Sequence, residues 1–121
     1  MIRVERIPRR GEIWWVDFEP AVGNEQRKLR PAVVLSPDSV GVLPLHIAVP
    51  ITDWKPHYAR APWFTELLPT PQNGLTKHGG ADGYQVKSLD RSRFTRFAGV
   101  LTAQEMEDIA ATVALCIGFV G

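Results

Sequence analysis

The sequence predicts a small protein of the α+β class, in which a strongly bent antiparallel β-sheet or barrel is capped by one C-terminal helix. Short runs rich in β-branched and aromatic residues alternate with clusters of Pro, Gly and other turn residues, which is typical of strands joined by loops. Apolar residues recur at helical spacing only near the C-terminal end. Because 121 residues suffice for one hydrophobic core and not for two, we expect a single domain over residues 1–121.

The predicted strands are short and are bounded by turn residues. The first covers residues 12–18, where the adjacent Trp14 and Trp15 would face opposite sides of the sheet, so we expect it to be mostly buried. The remaining strands are predicted at residues 32–35, 42–52, 63–67, 84–89 and 94–100. Residues 69–83 have no periodicity that predicts an element, and the arginine-rich residues 1–9 are expected to form a flexible lead-in.

The helix has a clear start signal. Thr102 followed by Glu105 is a capping-box pattern, in which the hydroxyl and the carboxylate satisfy backbone N–H groups at the first turn. Apolar residues then recur on one side of the helix, which predicts a buried stripe of Met106, Ile109, Ala110, Val113, Ala114 and Ile117.

Composition limits the class of protein. The apolar content of 45% and the charged content of 22% are typical of an ordinary globular domain. The net charge of +1 argues against indiscriminate coating of nucleic acid but allows a local basic groove. A single cysteine excludes an internal disulfide, and neither a signal-peptide core nor an apolar run of roughly 20 residues is present. We therefore expect a cytoplasmic protein that does not enter a membrane.

Several kinds of chemistry are not indicated. The three histidines, His46, His57 and His78, are scattered, and no CxxC or HxxxH spacing exists, so we predict neither a metal site nor a cofactor. The sequence also lacks the GxSxG pattern of serine hydrolases and the glycine-rich loops that bind nucleotide phosphates.

Two polar clusters remain as candidate sites, at residues 24–30 and 85–93. The first joins two strongly apolar runs, and rigid strands commonly present functional loops in this way. Within it, Pro31 restricts Arg30 to an extended backbone and so limits where its guanidinium can point. Basic and amide side chains such as these suit contacts to phosphates and base edges, but they also suit solvated strand ends. For Trp54 and Tyr58, base stacking and ordinary packing are both open.

Four separated motifs resemble the MazF/PemK family of toxin ribonucleases, and the similarity extends over about residues 9–118. They are the opening strand at residues 10–20, the loop and second strand at residues 23–36, the segment Pro50-Ile51-Thr52, and residues 85–93. Residues 99–106 also resemble the connection to the last helix of the family. Residues 77–83 depart from the family pattern because they are rich in glycine and poor in apolar residues.

The resemblance implies an SH3-like (PemK-like) barrel and a sequence-selective endoribonuclease that cuts single-stranded RNA, such as mRNA, without a metal. The 2′-hydroxyl would attack the adjacent phosphorus, leaving a 2′,3′-cyclic phosphate and a 5′-hydroxyl, and cleavage would inhibit translation and growth. Arg30, Thr52 and Glu25 are the expected catalytic residues, and it stays open whether Glu25 works in acid–base chemistry or orients Arg30. The expected RNA-binding residues are Asn24, Gln26, Lys28, Ser36, Gln85 and Lys87.

The family also implies a homodimer and a cognate antitoxin protein that occupies the RNA groove. Two alternatives remain at this point. One is a toxin on the same barrel that inhibits a topoisomerase (gyrase) through residues of the C-terminal helix, and the other is a non-catalytic SH3-like module that binds peptides.

Overall fold

The computed structural model describes residues 6–38 and 43–119. The chain forms seven strands followed by one helix, with short 3₁₀ turns at Pro56–Arg60, Gly83–Gln85 and Arg91–Arg93. The strands are β1 Glu12–Asp17, β2 Leu29–Val34, β3 Leu45–Asp53, β4 Phe64–Leu67, β5 Gly79–Asp82, β6 Lys87–Asp90 and β7 Phe94–Val100, and the helix is α1 Ala103–Cys116. The α+β class is therefore confirmed. No helix in the described part of the chain is long and apolar enough to span a bilayer.

All strands belong to one antiparallel sheet in the order β4-β5-β3-β2-β1-β7, and β6 pairs with the first half of β3. The sheet is bent but not closed into the predicted barrel, because no pairing joins β4 to β7 within the described ranges. A loop occupies the outer edge of β7 instead: the Val100 N–H donates to the Gln72 carbonyl at 2.8 Å. Gly99 lies so close to this loop that an added Cβ would be 2.4 Å from the Gln72 oxygen.

The central strands are buried on both faces, as the tryptophan pair predicts. Trp14 is 6% exposed, and Trp15 on the opposite face is half-buried. One core lies between the sheet and α1 and contains Ile13, Val33, Val49, Ile51, Leu67, Ala81, Met106 and Ile109. The second core, on the other face, contains Trp14, Val16, Phe18, Ala32, Val34, Ala48, Leu89 and Phe94.

A buried carboxylate holds the start of the chain against the sheet. Glu12 accepts hydrogen bonds from the Arg6 guanidinium at 2.8 Å, the Trp14 indole at 3.0 Å and the Arg9 N–H at 2.9 Å. Burial raises the pKa of Glu12, but these hydrogen bonds outweigh it and the pKa lies below its ordinary value. The Arg6 guanidinium also lies 3.9 Å from the centre of the Phe97 ring. The predicted flexible lead-in covers residues 1–9: residues 1–5 lie outside the described part of the chain, whereas residues 6–9 make these contacts.

The capping box at the start of α1 is confirmed, but the predicted apolar stripe is too long. The Thr102 hydroxyl accepts from the Glu105 N–H at 3.1 Å, and the Glu105 carboxylate accepts from the Thr102 N–H at 2.9 Å. Met106, Ile109 and Thr112 are buried, whereas Ile117 is 71% exposed. The helix contacts the sheet mainly through β4 and the turn at residues 83–85, so its last turn extends beyond the surface that would bury it.

Two further differences lie between residues 69 and 89. Strand β5 falls in the segment for which no element is predicted, because Gly79 and Gly80 carry no side chains that could reveal a strand period. The start of the predicted strand at 84–89 is instead a 3₁₀ turn, capped by the Asp82 carboxylate, which accepts from the Tyr84 N–H at 3.1 Å.

The predicted strand at 42–52 begins at Leu45, and residue 42 lies outside the described residues.

Two glycines with left-handed backbone allow a test of the close approach between the 72–74 loop and β7. Gly74 has a φ of +68°, and an added Cβ would lie 2.1 Å from the Ala98 carbonyl oxygen. Gly23 has a φ of +60°, and an added Cβ would meet nothing within 4 Å. We expect Gly23→Ala to lower the free energy of unfolding by about 1–2 kcal/mol, the cost of the left-handed conformation. Gly74→Ala should cost roughly 1–3 kcal/mol more because it also overpacks the site.

Urea unfolding followed by circular dichroism measures both losses. Equal losses for the two variants would contradict the close approach of Gly74 to β7.

Candidate functional site

The strand register places three polar side chains on the face of the second core. Side chains alternate along a strand, and directly paired residues share a face. Arg30 pairs with Val16, and Lys87 pairs with Ala48. Val16 and Ala48 both belong to the second core. Thr52 lies four residues after Ala48 on β3, so the alternation returns its side chain to the same face. Arg30, Lys87 and Thr52 therefore lie at the polar end of an otherwise apolar face.

Arg30 and Thr52 also line one cavity. The pairing of β2 with β3 ends at Ala32 and Pro50, two residues before Arg30 and Thr52 are reached, and the ends of both strands line the cavity. The cavity has a volume of about 190 Å³. Its remaining walls combine apolar and polar residues and include Trp15, Ile51, Asp53, Leu75, Lys77, His78 and Ala98.

The guanidinium of Arg30 is oriented by the chain that precedes it. Its Nε donates to the Arg27 carbonyl at 3.1 Å, which leaves the terminal N–H groups pointing away from that bond. Within residues 6–38 and 43–119 those N–H groups form no further hydrogen bond. A guanidinium anchored at Nε with its terminal donors unoccupied suits a bidentate interaction with phosphate or carboxylate.

The 22–28 loop is held by side chains that follow β5. Gln85 Nε2 donates to the Asn24 carbonyl at 2.9 Å, and the Gln26 N–H donates to Gln85 Oε1 at 3.3 Å. The Lys87 ammonium donates to the Glu25 carboxylate at 3.1 Å. These contacts join residues about 60 positions apart, so the structure brings together the two polar clusters that the sequence shows separately.

Two carboxylates beside this loop have different environments. A hydrogen bond from Lys87, one from the Val22 N–H and the charge of Lys87 lower the pKa of Glu25, so this side chain is ionised at neutral pH. Burial raises the pKa of Asp82, although the backbone N–H groups of Tyr84 and Gln85 oppose the shift. Both carboxylates line an open cavity of about 310 Å³. Sequence reasoning did not single out Asp82, and nothing in the sequence predicts its burial because β5 itself was not predicted.

Two expected RNA-binding residues lie apart from these contacts. Lys28 has an exposed side chain and a left-handed backbone with φ +69°, and its N–H donates to the Glu19 carboxylate at 3.0 Å. Ser36 is 8% exposed, and its hydroxyl accepts from the Ile47 N–H at 3.1 Å. Ser36 lines a separate cavity together with His46 and Arg91, so the structure does not bring Ser36 to Arg30 and Thr52.

The histidine beside Ser36 is neutral. The Arg91 Nε donates to His46 Nε2 at 3.2 Å, which requires that nitrogen to be unprotonated. Burial, followed by the nearby charge of Arg91, lowers the pKa of His46. The Arg91–His46 hydrogen bond links β3 to the turn that follows β6. The Phe94 ring meets the His46 ring edge-on, with centroids 5.3 Å apart.

Comparisons with known proteins place these features in a family. A profile described as PemK-like, MazF-like toxin of type II toxin–antitoxin system matches residues 9–117. The chain is 34% identical over 117 residues to the endoribonuclease toxin MazF of Escherichia coli strain K12, covering 93% of this chain and 96% of that protein.

Solved structures of MazF proteins have a similar fold. The crystal structure of MazF from Deinococcus radiodurans superposes with a TM-score of 0.79 at 30% identity, covering 94% of this chain and 99% of that chain. A MazE–MazF structure from the same organism gives a TM-score of 0.71 at 27% identity, covering 96% and 100% of the two chains. With a family profile that matches almost the whole chain, this protein belongs to the PemK-like, MazF-like toxins of type II toxin–antitoxin systems.

Proposed function

We propose that this protein is a sequence-selective endoribonuclease toxin that cleaves single-stranded RNA, including mRNA, in the cytoplasm and so inhibits translation and growth. The observation that carries the proposal is the placement of Arg30 and Thr52 on one cavity, beside a polar loop docked by Gln85 and Lys87. Members of the same family, including the Escherichia coli relative, are named endoribonucleases. The polar residues of the site lie on strands and loops rather than on α1, which disfavours topoisomerase inhibition through the helix.

The proposed reaction needs only the substrate and side chains. The 2′-oxygen of the ribose attacks the adjacent phosphorus, and the bond from phosphorus to the 5′-oxygen of the next nucleotide breaks. One proton leaves the 2′-hydroxyl and another reaches the departing 5′-oxygen, which gives a 2′,3′-cyclic phosphate and a 5′-hydroxyl. The enzyme must therefore accept one proton, supply one proton and stabilise charge on the phosphoryl oxygens.

Arg30 is proposed to stabilise the phosphoryl oxygens. Its Nε is occupied by the Arg27 carbonyl, so the terminal N–H groups are held in place before substrate binds, and no reorganisation is needed during the reaction. Thr52 shares the cavity and supplies a hydroxyl that can donate to the same phosphate and fix its position.

Glu25 is proposed as the proton acceptor. Within the described residues its carboxylate oxygens bond to the Val22 N–H and to Lys87 and not to Arg30, which argues against orientation of Arg30. Glu25 lines the open cavity of about 310 Å³ and not the cavity of Arg30 and Thr52, so acid–base work requires RNA that extends across both cavities. Its lowered pKa keeps the carboxylate in the accepting form at neutral pH. Asn24, Gln26, Gln85 and Lys87 are proposed to position RNA along the docked loop, while Lys28 and Ser36 stay predictions from the family resemblance.

Two partners follow from the family. The Deinococcus radiodurans neighbour was solved as a MazE–MazF complex, and we propose that this chain likewise binds a cognate antitoxin. A surface whose cations are arranged for phosphate also attracts the carboxylates of an acidic protein segment. We further propose that the toxin acts as a homodimer.

Replacing the proposed electrostatic group tests the site directly. Arg30→Ala should lower the cleavage rate of a short RNA by at least about 100-fold, since it removes preorganised donors from the transition state. Arg60→Ala is the matched control, because Arg60 lies on the 3₁₀ turn at Pro56–Arg60 and does not line the cavity. The free energy of unfolding should change by no more than about 0.5 kcal/mol in either variant. Equal activity of the two variants would remove Arg30 from the mechanism.

The chemistry of the reaction has its own test. Cleavage by the wild-type protein should continue in the presence of a chelator and should stop when the nucleotide at the cut site carries deoxyribose, because the attacking 2′-oxygen is then missing. Loss of activity with the chelator, or cleavage of the deoxy substrate, would overturn the proposed mechanism.

The Glu25–Lys87 pair predicts a pH effect. Lys87→Met removes the largest cause of the lowered pKa of Glu25, so this pKa should rise towards its ordinary value and the acid limb of the cleavage profile should move to higher pH. Carboxyl carbon chemical shifts followed through an NMR titration measure the pKa. Lys55→Met is the control, since Lys55 is exposed and makes no contact with Glu25. An unchanged pKa in the Lys87 variant would show that the ion pair does not set it.

A further inference from the structure

An aromatic cluster lies beside the cavity that Arg30 and Thr52 line, and the absence of a side chain at Gly80 leaves space for it. A Cβ added at Gly80 would lie 3.0 Å from the Trp54 ring and 3.1 Å from the Phe64 ring. The Tyr58 ring stacks on Phe64 with centroids 3.9 Å apart and meets the Trp54 ring edge-on at 5.7 Å. The glycine-rich segment that departs from the family pattern therefore allows Trp54, Tyr58 and Phe64 to pack at the edge of the sheet.

His78 is fixed against this cluster by three contacts. Its ring stacks on the Trp54 indole, with centroids 5.5 Å apart and an angle of 16° between the planes. Its Nε2 lies 2.6 Å from the Glu66 carboxylate. The Trp54 N–H donates to the His78 carbonyl at 3.0 Å. The ring of a histidine that is 42% exposed is thus oriented by the Trp54 stack and the Glu66 contact, while the Trp54 N–H holds the backbone of the same residue.

The fixed ring faces the cavity. His78 lines the cavity together with Arg30 and Thr52, and its side chain is 42% exposed. Trp54 does not line the cavity and stacks on one face of the imidazole, so a ring bound in the cavity can stack only on the other face. The nearby walls contain apolar groups, namely Ile51, Leu75, Ala98 and the half-buried Trp15. These apolar groups belong to the helix-facing side of the sheet, whereas the strand alternation gives Arg30 and Thr52 to the other side. The cavity between the strand ends therefore combines an apolar wall that suits a flat ring with a guanidinium and a hydroxyl that suit a phosphate.

We propose that His78 is a base-stacking residue, and that one unpaired nucleobase next to the cleaved phosphate stacks on its open face. The inference rests on the proposed function, since it assigns part of the same groove. A nucleotide carries a base and a phosphate a few ångströms apart, which matches the neighbouring ring and cationic group better than an isolated aromatic side chain does. Stacking tolerates every base but is greater for the larger purines, so His78 favours a purine at this position.

The experiment uses an RNA that binds but is not cut. Cut sites of the wild-type protein are first mapped on a long RNA, and a short RNA is made from one of them with deoxyribose at the cut nucleotide. The fluorescent base 2-aminopurine is placed at each flanking position in turn. Binding to the wild type should quench its fluorescence at one position, where the base stacks on His78.

Three variants separate stacking from folding. His78→Ala should abolish the quench at that position and weaken binding roughly 5- to 100-fold. His78→Phe should retain the quench, since it keeps a ring on Trp54 without the bond to Glu66. His57→Ala should leave both unchanged, because His57 contacts Tyr58 but does not line the cavity.

The two proposals fail differently. If the wild-type protein cuts no RNA, the proposed function is overturned and the stacking role with it. If the wild type cuts RNA and His78→Ala keeps the full quench and affinity, only the stacking role is overturned. The same holds if His78→Ala binds RNA normally but loses affinity for an aromatic, acidic peptide, which would assign the open face to a protein partner.

Discussion

Strand β3 forms backbone hydrogen bonds with three other strands, β2 along one edge and β6 and β5 along the other. Its nine residues alternate between the two cores, so a single strand aligns the helix-facing core, the second core and the polar end at Thr52. A shift of its register by one residue would exchange the two faces completely. The position of Thr52 relative to Arg30 therefore depends on the packing of Ala48 and Val49 several residues away. This is why the relative placement of two side chains can be well defined although they lie at strand ends.

The polar loop depends on a different kind of constraint. Residues 22–28 have no regular structure of their own, and their conformation is fixed by Gln85 and Lys87 from the segment that follows β5. Gln85 uses both ends of its amide, as a donor to Asn24 and an acceptor from Gln26. A side chain that satisfies two backbone groups of a loop leaves the loop few alternative arrangements. The conformation of the loop is thus tied to the pairing of β6 with β3.

Local patterns account for what the sequence alone could predict. The capping box at Thr102 and Glu105, the tryptophan pair of β1 and the strand at Phe94–Val100 are signals carried by neighbouring residues, and each matches the structure. Features set by distant contacts were missed. Gly79 and Gly80 have no side chains to show a period, yet they form β5 because Asp53 pairs with Gly79, Thr52 with Gly80 and Ile51 with Ala81. Ile117 has the helical spacing of a core residue but is 71% exposed, because the helix packs mainly against β4 and the turn at residues 83–85. The sheet stays open because the 72–74 loop occupies the edge of β7.

In the candidate site, the family resemblance singles out Arg30 and Thr52 from the sequence. The contacts of Glu25 and the orientation of His78 depend on residues far away in the chain, so local patterns do not show them.

The mixture of contacts that holds the 22–28 loop also determines how the protein responds to ionic strength. Lys87 and Glu25 are each more than two-fifths exposed and lie 3.1 Å apart, so added salt weakens their attraction but does not remove it. The amide bonds of Gln85 carry no net charge and are almost indifferent to salt. Added salt therefore weakens the ion pair of Lys87 with Glu25 and any attraction between the cationic side chains and a polyanion. The hydrogen bonds of Gln85 keep the loop in the same conformation. The shape of the loop is consequently set by uncharged contacts, and it persists under conditions in which the attraction between its charged groups is weakened.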